Sequence, residues 1–83
     1  MDRWITVNTS SGMFSSEYAV LLKLADGREV SFFADKHLFK ETNGKTLLKV
    51  TVVNAEPGSD KQLVLLPTET LETSTRWVEV AAE

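Results

Sequence analysis

A chain of 83 residues and 9.2 kDa is expected to form one domain over 1–83, which excludes a two-domain enzyme. Hydrophobic residues at 42% and charged residues at 25% are ordinary for a folded globular chain, and a net charge of −3 argues against a protein built to grip phosphate backbones. Without cysteine there is no disulfide framework, thiolate nucleophile or Cys-ligated metal.

The acidic excess lies in the tail, where Glu69, Glu72, Glu79 and Glu83 face only Arg76; the preceding body is neutral. Met1-Asp2-Arg3-Trp4 reads straight into a strand, without the basic and apolar regions of a secretory signal. No apolar run approaches the ~20 residues of a membrane span. Cytoplasmic location is the default expectation, and the sequon Asn8-Thr9-Ser10 then reads as a chance match.

Apolar residues recur at two-residue spacing in short segments punctuated by Gly, Asn, Asp, Ser and Pro, the pattern of strands. Six are expected: Arg3–Asn8, Glu17–Ala25, Arg28–Ala34, Thr46–Ala55, Gln62–Leu66 and Arg76–Val80. Between the second and third, a two-residue Asp26-Gly27 turn would set Leu22 opposite Ser31 and mix apolar with polar on both faces. A three-residue loop of Ala25, Asp26 and a left-handed Gly27 instead pairs Leu22 with Val30, Val20 with Phe32 and Tyr18 with Ala34, which makes one face wholly apolar. That register also sets Lys23 across from Glu29.

After the third strand, Asp35 is positioned to cap a short helical connector through Lys36, His37, Leu38 and Phe39, with Asn43-Gly44 as its left-handed stop. The β-branched fourth strand turns back at Glu56-Pro57-Gly58-Ser59 into Leu63–Leu66. That fifth strand is apolar on both sides and should lie centrally, and Pro67 ends it. A polar stretch, Thr68 to Thr75, leads to the last strand. The fold class is therefore all-β: a small six-stranded barrel or half-open sandwich with one short helical connector. An SH3-like arrangement, with a 3₁₀ turn at Thr68–Leu71, is favoured over an OB-like one.

Little in the chain carries catalytic chemistry. His37 is the single histidine, and Asp35 with His37 makes two potential metal ligands without a third, so a cap followed by a solvated histidine is the favoured reading. Glu69 and Glu72 are three apart among hydroxyl residues, a solvated setting unlike the apolar cleft an acid catalyst needs. No catalytic residue, metal site or cofactor is expected.

Two surfaces remain. Lys36, Lys40, Lys45 and Lys49, beside Phe33 and Phe39, make the alternative reading, single-stranded nucleic-acid binding by stacking next to positive charge; solvated lysines that protect strand edges are the favoured account of that run. Trp4, Phe14 and Trp77 are surplus to the core pattern and make candidate anchors for a protein partner, joined by β-addition at open edges. The expected function is a non-enzymatic protein interaction module or subunit of a larger assembly, its partner a protein of unknown identity, with no membrane role. Tryptophans in both terminal strands allow either a homodimer through a terminal strand or closure of the barrel by pairing the first strand with the last, both indoles inside.

Overall fold

The computed structural model describes residues 1–54 and 56–82. Its strands are β1 (Asp2–Ser11), β2 (Glu17–Lys23), β3 (Glu29–Asp35), β4 (Phe39–Thr42), β5 (Lys45–Asn54), β6 (Lys61–Leu65) and β7 (Trp77–Ala81), with a 3₁₀ turn at Lys36–Leu38. All pairings are antiparallel, in the order β3-β2-β1-β5-β6-β7, with β4 set against β5 off that path. The six strands on the path are the six expected ones. Ala55, the expected end of the fourth, and the terminal Glu83 lie outside the described residues.

β1 is what curls the sheet. Its first half, Asp2–Val7, pairs with Thr46–Thr51 of β5, and its second half, Asn8–Ser11, pairs with Tyr18–Leu21 of β2. One strand thus belongs to two sheet halves, which fold onto each other as a half-barrel. Alternation turns Ile5 and Val7, Val20 and Leu22, Val30 and Phe32, Leu48 and Val50, Val64, and Val78 and Val80 inward, where with Leu24, Ala34 and Leu66 they form one buried cluster. The β2–β3 register is the one expected, with Leu22 on Val30 and Lys23 on Glu29. Gly27 carries it at φ +91°.

The half-barrel is closed by single contacts. The Ala25 amide donates to the Glu79 carbonyl at 2.9 Å, linking the β2–β3 hairpin to β7. At the end of the barrel the Arg3 guanidinium donates to the Gln62 side chain and to the Ala81 carbonyl, the latter at 3.1 Å. The outer edge of β3 is covered by the segment after β6: Leu71 donates its amide to the Ser31 carbonyl at 2.8 Å, and the Glu72 carboxylate accepts from the Ser31 amide at 2.7 Å and hydroxyl at 2.5 Å.

Four expectations are corrected. The connector does not run through Phe39; after a single turn capped by Asp35, whose carboxylate accepts the His37 amide at 3.0 Å, Phe39 returns to extended backbone and opens β4. Asn43 and Gly44, at φ 53° and 78°, form the two-residue turn of a β4–β5 hairpin with Thr42 opposite Lys45, because left-handed values at both positions suit the twist of a hairpin as well as the end of a helix. Thr68–Leu71 contains no 3₁₀ turn; the segment is held by bonds from Thr70 and Ser74 to Thr75 and Thr70 carbonyls. Finally, β1 and β7 do not pair. β1 has neighbours on both sides, and both indoles lie outside.

Candidate partner-binding face

Because side chains alternate along a strand, a residue beside a core position must point outward. Ile5 and Val7 face in, so Asp2, Trp4 and Thr6 face out; Val78 and Val80 face in, so Trp77 and Glu79 face out. The register then aligns the outward residues of neighbouring strands. Trp4 lies opposite Lys49, and Thr6, Leu47 and Lys40 form a row across β1, β5 and β4. Asp2, Thr51, Leu65 and Trp77 form another across β1, β5, β6 and β7. Trp4 and Trp77 are therefore on one outer face of one sheet, 37% and 53% exposed, with half-buried Leu47 and Leu65 between and beside them.

Two lysines of this face, Lys40 and Lys49, adjoin Trp4. Lys40 Nζ sits 4.4 Å from the centre of its ring, a cation–π contact of about 0.5–1 kcal/mol at an exposed site. Lys49 pairs with Asp2 at 3.3 Å, and exposed Lys45 is the next outward residue along β5 from Leu47. At the Trp77 end, Lys61 and Glu79 neutralise each other at 3.7 Å.

Other candidates fall elsewhere. Phe14, 65% exposed beside 75% exposed Met13, is in the β1–β2 loop at the end of β1 remote from Trp4. Lys36 reaches the Tyr18 ring at 5.0 Å, and Phe39 packs edge-to-face on that same ring at 5.1 Å with its body against the core. Phe33 is outward on β3, in the other half of the sheet. The expected lysine and phenylalanine groove is thus divided: Lys40 and Lys49 meet Trp4, Lys45 lies at the β4–β5 turn of the same face, and Lys36, Phe33 and Phe39 do not join them.

The carboxylates serve the backbone. Asp35 is exposed and binds both the His37 amide and, at 2.6 Å, its ring Nδ1; the amide first and the ring second hold its carboxyl below the ordinary range. Among the described residues no three metal-ligating side chains come together. Glu72 is separated in function from Glu69: its carboxyl is held low by the Ser31 hydroxyl and then the Ser31 amide. Sequence reasoning missed this clasp, whose partners are 41 positions apart with no periodic signal to link them.

A groove of about 660 Å³ runs between the β2–β3 hairpin and β7, with Asp26, Arg28, Thr75, Trp77 and Glu79 on its walls. Arg28 is already bound to Asp26 at 2.7 Å and Glu79 to Lys61, so its charges are largely satisfied internally. No helix among the described residues is long and apolar enough to cross a membrane. Comparison of the chain with protein-family models, with curated proteins and with solved structures gives no match.

Proposed function

We propose that the protein is a non-enzymatic interaction module, or a subunit of a larger assembly, that recognises a protein through the outer face of β1, β5, β6 and β7. The observation that carries this reading is two exposed tryptophans on one sheet face, with half-buried Leu65 beside Trp77 and half-buried Leu47 one row from Trp4. Exposed aromatic residues of this kind are the residues most often found to dominate protein interfaces. Phe14 and Met13, remote from that face, supply a second contact point for a large partner. A cytoplasmic setting belongs to the same reading and is supported by the lack of cysteine.

The architecture is consistent with both barrel arrangements considered above. Tight hairpins are the SH3-like feature; a three-strand meander, a short connector and a following hairpin docked on β1 are the OB-like feature. Neither carries function by itself.

Affinity capture from a lysate of the source organism, with and without nuclease, tests the proposal when wild type is compared with Trp4→Ala, Trp77→Ala and Phe14→Ala. A protein retained by wild type and lost with either tryptophan supports it. A capture profile unchanged by all three substitutions overturns it. The alternative, single-stranded nucleic acid, is favoured by one observation, the lysines gathered around Trp4. Saturable oligonucleotide binding that weakens steeply with salt would establish that alternative, since phosphate contacts release counterions.

A further inference from the structure

We infer that the occupant of this face is a short acidic segment of a protein, with an apolar side chain that lies on Trp4 and Asp or Glu residues that meet Lys40 and Lys45. The inference rests on the proposed interaction face and adds the chemistry of its partner. Across β1, β5 and β4 the outer face carries Lys40 over the Trp4 ring, Lys49 opposite Trp4 and Lys45 two outward positions further along β5, against Asp2, which makes this part of the face +2 on a chain of net −3. Lys49 is neutralised by Asp2, whereas Lys40 and Lys45 make no salt bridge among the described residues. The Trp77 end is balanced by Lys61 and Glu79. Complementarity is thus polarised, with charge selection at Trp4 and apolar contact from Leu65 to Trp77.

Size argues for a segment over a second folded copy. From β1 to β7 is three strand spacings, ~14 Å, and Lys45 to Thr51 spans ~20 Å along β5, so the face covers roughly 300 Å². Stable interfaces between folded proteins bury about 800 Å² of accessible surface from each partner, so a folded copy would have to reach well beyond this flat footprint, whereas a segment need not. Sign and shape argue for protein over nucleic acid. Two lysines without a carboxylate partner, one of them seated on Trp4, give a phosphate backbone little to track, and the phenylalanines that would extend a stacking platform lie on other surfaces.

The test is a selection of random linear peptides displayed against the full chain, followed by chemical-shift mapping of the two indole N–H signals and the backbone amides. The expected result is enrichment of peptides with Asp or Glu beside an apolar residue, a shift of the Trp4 indole on binding, and affinity at least about tenfold weaker for Lys40→Glu and Lys45→Glu. Both positions are exposed, so a circular dichroism spectrum matching wild type confirms that these variants fold. Enriched peptides without acidic bias, or ones that move the Phe14 loop and leave Trp4 unshifted, overturn the inference and leave the interaction-module reading intact. No enrichment of any peptide overturns both. Preference of the same face for an oligothymidine over every selected peptide overturns both in favour of nucleic acid.

Discussion

Replacing Gly27 tests the architecture at the position that sets the β2–β3 register. Its amide donates to the Leu24 carbonyl at 3.0 Å while the Leu24 amide donates to the Arg28 carbonyl at 2.7 Å, so the loop is locked around a residue at φ +91°. A Cβ built at Gly27 meets nothing within 4 Å, so the cost of Gly27→Ala is backbone conformation alone, without steric repacking. An L-residue in the left-handed region costs about 1–2 kcal/mol, and Asn recovers part of that through local hydrogen bonding. For a chain of this length total stability is about 4–12 kcal/mol, and each kcal/mol moves the thermal midpoint by about 4–8 °C. Thermal and urea denaturation followed by circular dichroism should therefore rank wild type above Gly27→Asn and Gly27→Ala last, with the urea m-value unchanged. An Ala variant as stable as wild type, or more stable than the Asn variant, would refute the left-handed loop and the Leu22–Val30 register that depends on it.

Other substitutions separate core from face. Leu48 is fully buried, and Leu48→Ala should cost about 2–5 kcal/mol, whereas Trp77→Ala at 53% exposure should cost under about 1 kcal/mol; equal midpoints in urea denaturation would contradict the assignment of inner and outer faces. Glu72, Asp35 and Asp26 all have carboxyls held below their ordinary values, by the Ser31 hydroxyl, the His37 amide and the Arg28 amide respectively. Depressed folded-state values mean that their contribution is fully present above the ordinary values, 4.5 for Glu72 and 3.8 for the two aspartates, and is lost as pH falls through the lowered ones. Urea midpoints measured from pH 7 downward should decline below that range, and the decline should be shallower in Glu72→Gln; an identical acid limb would remove Glu72 from the account. Two copies joined antiparallel about the middle of β7 would set Glu79 against Glu79, so light scattering after size exclusion should give a constant mass near 9.2 kDa across concentration. A doubled mass would overturn this.

Local features of the sequence proved readable and remote ones did not. The β2–β3 hairpin needed only the apolar period and one glycine, all within Tyr18–Ala34, and its register follows from them. The outward direction of both indoles was available from parity alone, since each tryptophan adjoins a core position. What parity cannot supply is the neighbour of each strand. That β5 lies beside β1, and that Trp4 and Trp77 consequently share a sheet, depends on β1–β5 pairings between residues 39 to 49 positions apart. β4 was hidden by a competing local signal. The Asp35 cap starts a genuine helical turn, and nothing in Phe39–Thr42, four residues with one core contact, marks where it gives way to a strand. Asn43-Gly44 is compatible with both outcomes, and the packing of Phe39 against Tyr18 and Leu48 decides between them.

The proposed recognition at the face of the sheet, in place of β-addition at its edges, draws support from how the β3 and β7 edges are used. Exposed backbone on an outer strand is a template for pairing with another chain. Here Leu71 and Glu72 occupy the Ser31 carbonyl, amide and hydroxyl on β3, and Ala25 occupies the Glu79 carbonyl on β7. Those two edges are thus partly occupied, whereas β4 has β5 as its one strand neighbour among the described residues. The segment from Pro67 to Arg76 then acts as an edge guard, and removing its two contacts should convert the monomer into a self-associating species. Leu71→Pro eliminates the amide that bonds Ser31, and Glu72→Ala eliminates the carboxylate; neither side chain belongs to the core cluster, so the strands should remain folded. Light scattering of the double variant should show mass increasing with concentration, and chemical shifts should place the new contact at Glu29–Phe33 while the Trp4 indole stays unchanged. A folded double variant that remains at the monomer mass would show that the β3 edge resists pairing without its guard, and would return edge addition to the ways this protein could meet a partner.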